Sequence, residues 1–215
     1  MNKIIRVFAF SFVIFSCDKP ITTTKNHPVM VAFEDTTKAE SWGFKDTNGQ
    51  IIIPAQYSSV FEDTFSNDIT FVFKKPTSSQ DNTNGIIAID KQNQFVLKPF
   101  IFDNGPDYLQ EGLFRFVEND KMGFADVNGK KVIAAKYTFV NSFQEGFAAF
   151  CEGCQKENMG EHWRMVGGKW GFMDKNGKEI IGAQFDEVSN FQEGIAEVTK
   201  NGQKMRINPK GEYIK

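Results

Sequence analysis

The chain has 215 residues, with 25 Lys and Arg against 27 Asp and Glu and a formal net charge of −2. That balance excludes the basic footprint of a nucleic-acid binder, and the length allows one domain or a short repeat array with a real core. Phe is heavily used, at 23 residues, which suits sheets with stacked aromatic faces.

Lys3 and Arg6 give the start a positive charge, and Val7 to Phe15 is an apolar run broken only by Ser11. The run is too short to span a bilayer as a mature helix and has the length of an export-signal core. It ends at Ile14-Phe15-Ser16-Cys17, which resembles the cleavage box of a bacterial lipoprotein signal. The resemblance implies a signal peptide over residues 1–16 and lipidation of Cys17. The protein would then be lipid-anchored in the cell envelope, at the outer membrane, on its periplasmic or surface face. Each buried acyl methylene adds about 0.8 kcal/mol to such an anchor. A soluble secreted protein with an unlipidated Cys17 is the other reading of the same segment. Residues 17–38, with Pro20, Thr22-Thr23-Thr24 and Pro28, read as a flexible spacer, within which Val29-Met30-Val31-Ala32-Phe33 has the pattern of a first strand.

Residues 39–215 are dominated by an internal repeat. Trp170-Gly171-Phe172-Met173-Asp174-Lys175-Asn176-Gly177 echoes Trp42-Gly43-Phe44-Lys45-Asp46-Thr47-Asn48-Gly49 and Met122-Gly123-Phe124-Ala125-Asp126-Val127-Asn128-Gly129. A looser copy ends at Asp90-Lys91-Gln92-Asn93, with Ile86 near the place of the Trp. In each copy a short strand runs into an Asn-Gly hairpin turn and returns as an apolar strand. A connector follows, anchored by Phe185, Val188 and Phe191 in the last copy. Phe191-Gln192-Glu193-Gly194-Ile195-Ala196 then opens an alternating strand, and Phe143 to Ala148 and Leu109 to Leu113 repeat that element. The units fall at about 41–73, 84–118, 121–150 and 169–198, with a partial one at 203–215 and an insert at 151–168. The expected unit is a meander of about three antiparallel strands that buries its apolar face only against its neighbours.

The combined motif, Trp-Gly-Phe-x-Asp-x-Asn-Gly followed by an apolar strand and Phe-x-Glu-Gly, resembles the WG (KWG) repeat family of bacterial proteins. The resemblance implies a β-repeat structure used for binding or scaffolding, with no transferable catalytic residue. The fold class expected is all-β, an open twisted array of tandem meanders, with propeller-like closure as the alternative.

Recurring polar residues are poor candidates for chemistry, because a catalytic group is needed once. Glu111, Glu145 and Glu193 each precede a Gly at the same point of a unit and read as capping or turn acceptors. Asp126-Val127-Asn128-Gly129 places its Gly fourth, which does not fit a calcium loop. Trp42 and Trp170, each beside a Gly, read as large rings covering the Gly backbone of a neighbouring strand, with an aromatic platform for sugars or peptides as the alternative. The chain offers no Gly-rich phosphate loop and no Gly-x-Ser-x-Gly elbow.

Symmetry breaks in the insert. Cys151 and Cys154 suit a disulfide staple in an oxidising compartment. A zinc site from Cys151, Cys154 and His162, completed by Glu157 or Glu161, and a redox pair are the alternatives. His162, Trp163 and Arg164 form a candidate contact patch, since Trp and Arg are enriched at interface hot spots. The expected function is a non-enzymatic, membrane-anchored binding or scaffold module with no cofactor, contacting a protein, peptide or glycan and no nucleic acid. An envelope thiol or zinc protein centred on the insert is the alternative.

Overall fold

The computed structural model describes residues 28–76, 83–160 and 162–214. The signal segment and Cys17 lie outside the described residues. Short apolar strands punctuated by positive-φ turns leave no room for helices, and no helix occurs among the described residues. The open all-β array is the arrangement observed: several antiparallel sheets follow one another along the chain, and none closes into a barrel.

One sheet shows the plan. Phe139–Val140, Phe147–Glu152, Lys169–Asp174 and Glu179–Phe185 lie side by side in that order, all antiparallel. These positions are a short strand, an outgoing strand, a motif strand that carries Trp-Gly-Phe, and a return strand. The sheet formed by Glu187–Val188, Ala196–Lys200, Gln203–Ile207 and Tyr213–Ile214 repeats the plan. At the start, Met30–Glu34 pairs with Trp42–Asp46 and with Thr64–Phe65, and Trp42–Asp46 pairs with Ile51–Tyr57. The first strand expected at residues 29–33 is therefore present, and it carries the folded region back into the stretch read as spacer.

Sheet and sequence repeat are out of phase. The motif and return strands of one repeat complete one sheet, and the chain then crosses to supply the short and outgoing strands of the next. The expected three-strand unit is thus a four-strand sheet assembled from two repeats.

The tight turns are more specific than Asn-Gly alone suggests. Only the last turn residue has positive φ, 89° at Gly49, 77° at Gly129 and Gly177, and 62° at Asn93. The preceding Asp supplies the rest: Asp46 Oδ1 accepts from Asn48 N at 2.9 Å and Gln50 N at 2.8 Å, and Asp126 and Asp174 do the same in their turns. The turn is a type I turn closed by one left-handed residue.

The Gly of the Trp-Gly pair has a different task. Opposite it the return strand bulges, with Trp42 facing Tyr57 but Phe44 facing Ile53. A Cβ on Gly43 would lie 2.7 Å from Ala55 N and nearer still to Ile53 O; on Gly123 it would lie 2.7 Å from Ala135 N and nearer still to Ile133 O. Only Gly lets the two backbones approach this closely. The second repeat has Ile87 at this place. There only the register shift between Ala88 and Ile89 remains, and Phe95–Pro99 pairs with Gly85–Asp90 and then with Leu113–Glu118 of the next repeat. Two sheets fuse into one of seven strands, from Ser59–Val60 to Lys131–Tyr137.

Candidate functional site

In three repeats the motif Phe packs on the Phe of the Phe-x-Glu-Gly element. Ring centroids are 5.4 Å apart for Phe44 and Phe65, 4.6 Å for Phe124 and Phe143, and 4.7 Å for Phe172 and Phe191. The second repeat carries Ala88 and Leu109 instead. Ala88 offers no ring, and Leu109 stays outside at 49% exposure. Ile101, Phe102 and Tyr108 of the same connector are exposed with it. The position of Leu109, core in the other three repeats, is therefore turned outward in this one.

Phe102, Tyr108 and Leu109 form one wall of a cleft of about 410 Å3. Phe61 and Phe71 line the opposite wall, and Ile69 and Phe114 lie buried beneath it. Two edge-on aromatic pairs shape it, Phe71 with Phe114 at 5.4 Å and Phe102 with Tyr108 at 5.6 Å. A contiguous apolar surface of this kind marks an interaction site more often than an isolated exposed side chain does.

The wall is held from behind. Ile101–Phe102 and Gly105–Pro106 pair as a minimal hairpin, turned by Asp103 and Asn104 at φ 49° and 62°. The next residue, Asp107, is buried and accepts from buried Arg115 twice, from Nε at 2.9 Å and Nη2 at 2.5 Å, and from its backbone N at 2.8 Å. Arg115 Nη1 also donates to Val140 O at 3.3 Å. The guanidinium lies 4.4 Å from the Phe100 ring centre and 5.7 Å from that of Phe102. A buried bidentate pair contributes little net stability against an apolar substitute, but losing one partner leaves a charge stranded. Here it fixes where Phe102 stands.

Charge at the cleft is one-sided. Its lining includes Glu62, Asp103 and Asp107 and no Lys, Arg or His, and Asp107 is already matched by Arg115. Desolvation against the wall pushes the Glu62 carboxyl above its ordinary value, partly offset by the Thr70 hydroxyl. Sequence reasoning passed over this connector. The available signal was the joint departure of Ile87, Ala88 and Leu109 from the motif; the Asp107–Arg115 pairing has no sequence signature.

The insert is an extension of one hairpin. Gln155–Met159 pairs with His162–Val166 in the register that Glu152 and Lys169 begin. Cys151 and Cys154 are bonded to each other at its root. His162 faces Met159 at the far tip, about 15 Å along the ribbon at roughly 3.3 Å per residue. The zinc set of Cys151, Cys154 and His162 is therefore not brought together: the sulfurs bond each other and the imidazole is remote.

The proposed contact patch also divides. His162 is exposed, and Arg164 Nε pairs with Glu157 Oε2 at 2.8 Å. Trp163 folds back on the array, 5.6 Å from Phe139 and 6.3 Å from Phe100, with Lys156 Nζ 4.9 Å from its ring.

Trp170 is buried beside Phe139 at 6.1 Å. The ring over Gly171 is Phe150, its cross-strand partner, whose Cζ an added Cβ would meet at 2.7 Å. The large ring that covers the Gly171 backbone from a neighbouring strand is thus Phe150, where the sequence suggested a Trp.

Two of the recurring Glu residues join neighbouring units. Glu111, Glu145 and Glu193 have φ of 51°, 54° and 54° and sit in two-residue turns with the following Gly. Glu145 accepts from Glu193 N at 2.6 Å and Gly194 N at 2.8 Å, and Glu111 accepts from Gly146 N at 3.1 Å.

A family model described as WG containing repeat matches residues 42–75, 88–121, 122–153 and 170–203. Its spans begin on motif strands and end one to three residues past outgoing strands, the same phase offset from the sheets. No curated protein and no solved structure matches the chain.

Proposed function

The chain belongs to the WG containing repeat family, and from that premise we propose that it is a non-enzymatic binding and scaffold module, anchored in the cell envelope through Cys17 and holding a protein, peptide or glycan. The observation that carries the binding role is the aromatic cleft of the second repeat, where Phe102, Tyr108 and Leu109 face solvent on a wall held by the Asp107–Arg115 pair. The recurrent polar residues support the non-catalytic reading, because Asp46, Asp126 and Asp174 serve their turns and Glu111 and Glu145 serve unit contacts. The anchor rests on the leader pattern at residues 1–17.

Cross-linking in intact envelopes tests this, with a photoreactive group at position 108. The expected result is a discrete adduct that Phe102→Ala removes and that pellets with membranes, while Cys17→Ala releases it to the soluble fraction. Adducts unchanged by Phe102→Ala, or substrate turnover by the purified chain, overturn the reading.

A further inference from the structure

The lining of the cleft says what it holds. Its faces are aromatic, and aromatic faces carry negative electrostatic potential that attracts cations. Glu62 and Asp103 add two carboxylates, and no basic side chain of the lining offsets them. Glu62 has no ion-pair partner among the described residues, in contrast to Asp107. Where Phe61 and Phe102 exclude water, the carboxylates attract a cation and repel an anion more strongly than they would in open solvent, and that difference selects the sign of the ligand. Two aliphatic residues of the lining, Leu109 and Val127, also stand exposed at 49% and 38%. Exposed aliphatic side chains flanking a charged slot suit a chain that continues past it.

We propose that this cleft is the binding site for an Arg or Lys side chain presented by an extended segment of a partner protein, with aliphatic residues on either side of the basic one. The proposal rests on the binding-module reading and names its partner chemistry. The cationic head lies against the Phe102 and Tyr108 rings and pairs with Glu62, and the aliphatic neighbours cover Leu109 and Val127. The Asp107–Arg115 pair takes no part in contact; it positions Phe102. The recognition is electrostatic and aromatic, so it weakens with salt and tolerates Lys for Arg with some loss.

The test uses the full chain in mild detergent and a short blocked peptide with arginine between valine and leucine. Calorimetric titration measures affinity, and the citrulline peptide, which keeps shape and loses charge, is the control. Expected is saturable binding of the arginine peptide, about tenfold weaker for citrulline, three- to tenfold weaker for Glu62→Gln and for Tyr108→Ala. Both substituted side chains are exposed, and circular dichroism confirms that the variants fold. Equal affinity for the citrulline peptide, or an arginine affinity unmoved by Glu62→Gln, overturns the cation site. No peptide binding alongside a persistent Phe102-dependent envelope adduct also overturns it while leaving the binding module standing. Absence of both the peptide signal and the adduct removes the two together.

Discussion

At the residue scale, two kinds of glycine do different work. Gly49, Gly129 and Gly177 supply positive φ in turns; Gly43, Gly123 and Gly171 let a bulged strand approach. Gly123→Ala would push a Cβ into the backbone of residues 133–135 and is expected to cost about 3 kcal/mol. Gly182 is the internal control: a Cβ there meets nothing within 4 Å, and its φ lies outside the left-handed range. Gly182→Ala is expected to gain about 0.5 kcal/mol by restricting the unfolded chain. Urea unfolding of both variants checks the contrast, and equal effects would sink the bulge argument. Ile87 in the second repeat shows the structural alternative, a return strand that leaves for the next repeat.

At the element scale, the 151–168 insert reads as a lengthened hairpin. Glu118 and Lys121 are joined by the two-residue turn Asn119-Asp120, with φ of 51° and 58°, and Glu152 faces Lys169 in the equivalent pairing. Replacing residues 153–168 with Asn-Asp is therefore expected to preserve the sheet. It removes Trp163 from Phe100 and Phe139 and Cys154 from Cys151, and the lost aromatic cover and small disulfide loop together are worth about 1–3 kcal/mol. Far-ultraviolet circular dichroism with urea unfolding measures both outcomes; a chain that fails to fold would make the insert integral to the array. Sequence alone marked this element as the break in symmetry. The departures of Ile87, Ala88 and Leu109 in the second repeat are visible in the sequence too, but that they border a cleft depends on the path of the connector and on the Asp107–Arg115 pair.

At the scale of the whole molecule, cohesion comes from contacts that cross between repeats. Sharing each sheet between two repeats means that no repeat can leave without opening two sheets. Tyrosines at the ends of return strands add to this. Tyr57 donates to Asn93 Oδ1 at 2.6 Å, and Tyr137 donates to Glu179 Oε1 at 3.1 Å, each reaching the following repeat. Desolvation raises both phenols, that of Tyr57 to about 12. The neutral phenol is thus favoured in the folded state. The stabilisation it brings is complete below the unfolded value near 10 and is lost as pH rises towards 12. Thermal unfolding followed from pH 8 to 12 is expected to show a fall that Tyr57→Phe makes shallower. An unchanged slope would mean that the Tyr57 phenol is not desolvated on folding.

The sequence by itself determined the all-β class, the number and phase of the copies, and the turns. These depend on local chemistry: a period-two apolar pattern, an Asp that bonds its own turn, and a Gly where φ must be positive. It also determined that the recurrent Glu residues act on backbone, since recurrence itself argues against a unique chemical role. The tertiary structure alone decided where a surface is left to bind with. The Phe102 wall needs Asp107 to meet Arg115 across a connector, and the cleft needs Phe61, Phe71 and Phe114 brought together from three segments. Such convergence depends on how strands pass between sheets, and a linear pattern carries no record of that path.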